Sequence, residues 1–131
     1  MDDLKLIKLA SDSVKRDIRV PVPDLSPGFS QLTLPEQVME LRDKIVFTLE
    51  KIYTKVPIVL LQYQIIRMYA RITIDNSAMM GDLKLITNVT KCLANCVEWT
   101  TQEGRKIRND AIIYCKALKQ KSEELHKMQE N

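Results

Sequence analysis

Cys92 and Cys96 stand four residues apart, a spacing that puts both thiols on one face of a helix. Two sulfurs are half of a zinc site, which takes four ligands of cysteine, histidine or carboxylate type. The other candidates lie far along the chain. Cys115 follows Cys96 by 19 residues, and His126 is the one histidine. Neither CxxC nor HxxxH spacing occurs. The three cysteines therefore read as small core hydrophobes, and no metal is assigned. An odd count without framework spacing fits a reducing compartment. A nucleophilic cysteine needs a neighbouring base and a lowered pKa. His126 lies in a Lys- and Glu-rich tail, where it reads as a solvated residue near a helix C-terminus.

Paired carboxylates could serve acid–base chemistry. Asp2/Asp3 and Glu123/Glu124 fall in solvated ends, while Glu36, Glu40 and Asp43 interleave with Arg42 and Lys44 on the outer face of a helix. Such groups read as surface ion-pair partners. Gly28, Gly81 and Gly104 are far apart and none follows a strand pattern, so no phosphate-cradling loop is present. These readings assign no catalytic residue, no cofactor and no small-molecule substrate.

Two groups of residues could carry binding. Arg105, Lys106, Arg108, Lys116 and Lys119, with Lys121 beyond them, are basic, and positions 105, 108, 116 and 119 share a face if their helix is continuous. A basic stripe suffices to contact a phosphate backbone. Glu103, Asp110, Glu123 and Glu124 dilute it, and no aromatic ladder is interleaved for base stacking. The second group is apolar: Ile107, Tyr114, Leu118 and Leu125 continue the seam of a long last helix. Trp99, the sole tryptophan, lies off that seam. It either packs beneath the linker that precedes the core or serves as a partner hot spot.

Chain length and composition bound the scaffold for these groups. The 131 residues suit one domain, are 45% apolar and 28% charged, and carry a net charge of +3. That charge is too small to argue for nucleic acid or a membrane surface. Aromatics are only 5%, so the core is built from Leu, Ile, Val and Met, a composition suited to a helical bundle. The longest apolar run, residues 56–61, falls well short of the ~20 residues of a membrane span. The start Met1-Asp2-Asp3-Leu4 is no secretory signal. The expectation is a cytoplasmic or nuclear protein without membrane insertion.

Helical spacing recurs along the chain. Leu4, Ile7, Ala10, Val14 and Ile18 predict an N-terminal helix within residues 1–19. Pro21, Pro23, Pro27 and Gly28 make residues 20–32 an extended strap whose Val20, Val22, Leu25 and Phe29 should lie against a surface. Such a strap also permits exchange of the first helix with a neighbouring protomer. Thr33 and Glu36 form a capping box with Pro35 in the first turn, opening a helix with the seam Leu34, Val38, Leu41, Ile45, Leu49, Ile52 and Val56. Pro57 ends it near Lys55. A third segment carries Ile58, Leu61, Ile65, Met68 and Ile72 on one stripe and Val59, Ile66 and Tyr69 on another, which predicts a centrally placed helix. After turns at 75–77 and 81–82, a 3/4 alternation runs from Ile86 to Met128 without a slip at Gly104. It allows one helix of over 40 residues or two broken at Gly104; the unbroken register favours one.

The sequence thus predicts an all-α fold over residues 1–131: an antiparallel bundle of four to five helices, with a Pro-rich strap after the first and a long C-terminal helix in the 33–131 core. Residues 105–131 would form an exposed arm seeking cover. The functional expectation is a non-enzymatic protein–protein interaction module, an adaptor or small subunit of an assembly, using a protein partner or a second copy. The alternative is a nucleic-acid-associated protein using the basic face at 105–121. On the first expectation, Leu118→Asp breaks association and spares helix content.

Overall fold

The computed structural model describes residues 21–57, 59, 61–96 and 98–130. Among these residues the fold is all-helical, without a strand, and four helices pack against one another. They are α1 (Leu34–Lys55), α2 (Leu61–Asn76), α3 (Asp82–Ala94) and α4 (Gln102–Glu130). Single 3-10 turns span Phe29–Gln31 and Ser77–Met79. The helix expected within residues 1–19 lies outside the described residues.

Helix α1 starts and stops where its sequence dictates. The Thr33 hydroxyl accepts from the Glu36 N–H at 3.3 Å, and the Glu36 carboxylate accepts from the Thr33 N–H at 3.0 Å. Two otherwise orphaned donors are satisfied together. The Thr33 hydroxyl, which also donates to the Glu36 carboxylate at 2.7 Å, and after it the Thr33 N–H hold that carboxyl below its ordinary pKa. Val56 turns the backbone extended ahead of Pro57. Between these ends Leu41, Ile45, Leu49 and Ile52 are fully buried. They meet Leu85 and Val89 of α3, Ile66 of α2 and Ile107 and Leu118 of α4 in one core cluster.

The 77–82 turn is tied to α1 by Arg42, whose side chain is only 12% exposed. Its guanidinium donates to Asp82 at 2.6 Å and to the carbonyls of Ser77 and Met80 at 2.6 and 2.7 Å. The fork geometry of arginine suits three convergent acceptors, and the Ser77 carbonyl also accepts from the Met80 N–H at 3.1 Å within the turn.

The C-terminal half departs from the expected single helix. α3 ends at Ala94, and a turn intervenes before α4 begins at Gln102. Local hydrogen bonds make the break. The Asn95 amide donates to the Lys91 carbonyl at 2.8 Å, the Trp99 N–H donates to Cys96 O at 2.9 Å, and the Thr101 hydroxyl accepts from the Gly104 N–H at 3.1 Å. Asn and Thr side chains thus offer the backbone alternatives to helix continuation. Arg108 reaches back to the Cys96 carbonyl and pins the turn to α4. The 3/4 alternation survives because α3 and α4 bury their seams in the same core, not because one axis runs through both.

The segment expected to form an exposed arm, described over residues 105–130, is likewise packed into the core for most of its length. Ile107, Ala111, Tyr114, Cys115 and Leu118 are buried in the core cluster, and Ser122 is buried further along α4. Only the last turns, with Met128 64% exposed, extend into solvent.

Candidate functional site

The five residues expected to bind a partner fall mostly inside the protein. Trp99 is 4% exposed, Ile107 5%, Tyr114 4% and Leu118 0%. Leu125 is partly buried and packs against the same cluster. Their seam is covered by the chain's own α1. The surface expected on the last helix is therefore not free, and these side chains supply packing. Tyr114 also has a polar task, its hydroxyl donating to the Pro23 carbonyl at 2.9 Å. Val22, Leu25 and Phe29 of the preceding segment pack against the core, and Gln37 donates to the Phe29 carbonyl at 2.9 Å. Trp99 packs its ring over Gly104 in the first turn of α4.

The basic residues do not form an open stripe. Lys106 is paired with Asp110 at 2.8 Å, and Arg108 is engaged by the Cys96 carbonyl. Arg108, Lys116 and Lys119 are half-buried, while Arg105 and Lys106 are exposed. Two of the five are thus spent on structure, which weakens the case for a phosphate-backbone surface.

The thiols are not poised for chemistry. Burial pushes Cys92, Cys96 and Cys115 up to about 12 from an ordinary 9.0. Among the described residues no group of three or more His, Cys, Asp or Glu side chains is placed to hold a metal. Burial, reinforced by Asp24 and then Asp110, also lifts the Tyr114 phenol to about 12. These raised values set an alkaline limit. The neutral forms are favoured in the folded state, so their contribution is intact below pH 9 and is lost as pH rises through the folded values. Stability to urea is expected to fall progressively between pH 9 and about 12. All three thiols should resist alkylation at pH 8 until the chain is unfolded. Rapid native alkylation at pH 8 would contradict their placement.

Among the described residues an open apolar surface lies on α2, formed by a stripe whose pattern predicted the opposite placement. That helix buries Tyr63, Ile66, Ala70 and Thr73 against the core. The stripe expected to make it central faces outward instead: Leu61 is 71% exposed, Ile65 41%, Met68 54% and Ile72 51%. Tyr69, at the edge, is 46% exposed. The helix is therefore apolar on two opposite sides, and the described residues pack against one of them. Steps of four, three and four along the outward stripe match the spacing of a helix–helix seam.

The flanks of this stripe are settled by contacts within the chain. Arg71 pairs with Asp75 at 2.8 Å, Arg67 donates to the Tyr53 carbonyl at 3.0 Å, and both guanidinium groups stack on the Tyr53 ring. On the other side Gln62 donates to Glu98 at 3.0 Å. These bonds hold the orientation of α2 and keep the outward stripe apolar between polar edges. The four positions were visible in the sequence as one stripe. The signal that they were not the core-facing one lay in Tyr63, Ile66, Ala70 and Thr73, which form an equally regular second set.

Among the described residues no helix is long and apolar enough to cross a membrane. No family model matches the chain, and neither does any curated protein or solved structure.

Proposed function

We propose that this chain is a non-enzymatic interaction module that binds by helix–helix burial through the outward face of α2. The observation that carries the reading is the stripe Leu61, Ile65, Met68 and Ile72, at least two-fifths exposed at every position. A contiguous apolar patch rimmed by polar groups marks an interaction site. The stripe has the width and spacing that a second helix fills. In this reading the four helices form an antiparallel bundle, with residues 21–32 strapped over α1 and α4. The contact between Lys55 and Glu103 and the bond from Arg67 to Tyr53 support that arrangement.

Ile65→Asp tests the reading. The position is exposed, so folding stability should change by less than about 1 kcal/mol. Tagged wild-type and variant chains are recovered from the native cells after nuclease treatment. A protein held stoichiometrically by the wild type, another copy of this chain included, should be lost from the variant. Equal recovery by both chains would reject the α2 face as the binding surface.

A further inference from the structure

We infer that the helix seated on this face is the α2 of a second copy of this chain, an inference that rests on the interaction reading above. The area comes first. The four stripe residues and Tyr69 expose roughly 500 Å² per chain, so pairing two copies removes at most about 1,000 Å², about the least that a specific interface buries. Charge is the second argument. A surface that meets itself must carry no net charge at its centre, because every like charge would face its own copy. The stripe meets this condition: its edge residues Gln62, Gln64, Tyr69 and Asn76 are uncharged, and Arg71 is neutralised by Asp75 at 2.8 Å. A strongly acidic or basic partner would find no counter-charge there.

Spacing supplies the third argument. A two-fold axis between Ile65 and Met68 places Leu61 on Ile72 of the second copy and Ile65 on its Met68. Every apolar member of the stripe then has an apolar partner, and Arg71 falls beside Gln64 of the other chain. The symmetry is closed, so assembly stops at two.

Sedimentation equilibrium of the full chain across micromolar concentrations is the test. The expected mass is twice the 15.2 kDa chain mass. In Ile65→Asp/Met68→Asp the mass should fall to that of one chain, with dissociation at least 100-fold easier and an unchanged far-UV spectrum. Both positions are exposed in the single chain, so loss of mass without loss of helix isolates the interface. A dimer that the double variant leaves intact overturns the inference. So does a single-chain mass for the wild type up to about 1 mM, a range that would capture even weak pairing. If that single chain still captures another protein in an Ile65-dependent way, self-pairing fails and the interaction reading stands. If it captures none, both fail.

Discussion

Leu118→Asp is expected to unfold the chain, not to release a partner. Leu118 is 0% exposed and sits in the cluster that joins α1 to α4. Truncating a buried leucine costs about 2–5 kcal/mol through lost burial and the cavity left behind. An unpaired carboxylate at the same place adds a desolvation cost of several kcal/mol, or it takes up a proton at a comparable cost. The whole stability of such a domain is about 5–15 kcal/mol. A loss on the order of 5 kcal/mol or more therefore removes much of it. The midpoint of the thermal melt, followed by far-UV circular dichroism, should fall by about 15 °C or more. Wild-type melting accompanied only by loss of association would return the interface to α4. The contrast with Ile65→Asp is direct: the same charge on the outward face of α2 should leave the melt almost unchanged.

Gly104→Ala separates two opposed effects of similar kind and unequal size. By helix propensity alone the alanine gains about 1 kcal/mol in a helix interior. The backbone at Gly104 is not in the left-handed region, so conformation itself raises no objection. The packing does. A Cβ at this position would stand 2.6 Å from Trp99 Cδ2 and 2.7 Å from Cε2. The indole is rigid and 4% exposed, so it cannot yield as the tip of a flexible side chain would. Overpacking costs about 1–3 kcal/mol, and expelling the ring forfeits about 3–5 kcal/mol of burial. The net expectation is a loss of about 1–3 kcal/mol in urea unfolding. The emission of Trp99, the sole tryptophan, should shift to the red in the folded variant. A more stable alanine variant with unshifted emission would show that propensity outweighs the ring contact.

The local grammar of the chain was legible from its residues. Thr33 and Glu36 announced the start of α1, and Pro57 its end, because caps and proline act over one turn and need no tertiary partner. The buried α1 positions Val38, Leu41, Ile45, Leu49 and Ile52 were legible for a similar reason: periodicity in one helix names one face. The break between α3 and α4 was written in Asn95, Thr101 and Gly104, whose side-chain bonds and ring contact end one helix and open the next. It was masked by a seam that keeps its register through the turn. The site was half legible. Leu61, Ile65, Met68 and Ile72 were recognisable as one stripe, whereas their exposure was not.

The amino-acid sequence by itself determined that the fold is helical and where α1 is capped, and it determined the apolar faces of the helices. These depend on interactions within a turn or two of chain, which residue type and spacing specify. Tertiary structure alone decided which of those faces would be covered. Helix α2 carries two apolar sides, and its own residues do not choose between them. The choice comes from the fit of Tyr63, Ile66, Ala70 and Thr73 into the core and from the hold of Tyr53 and Glu98 on its flanks. The same packing took Ile107, Tyr114 and Leu118 out of solvent and left Ile65 and Met68 in it. Burial is a property of the whole assembly of helices, since a seam is hidden only when another element of matching shape lies across it.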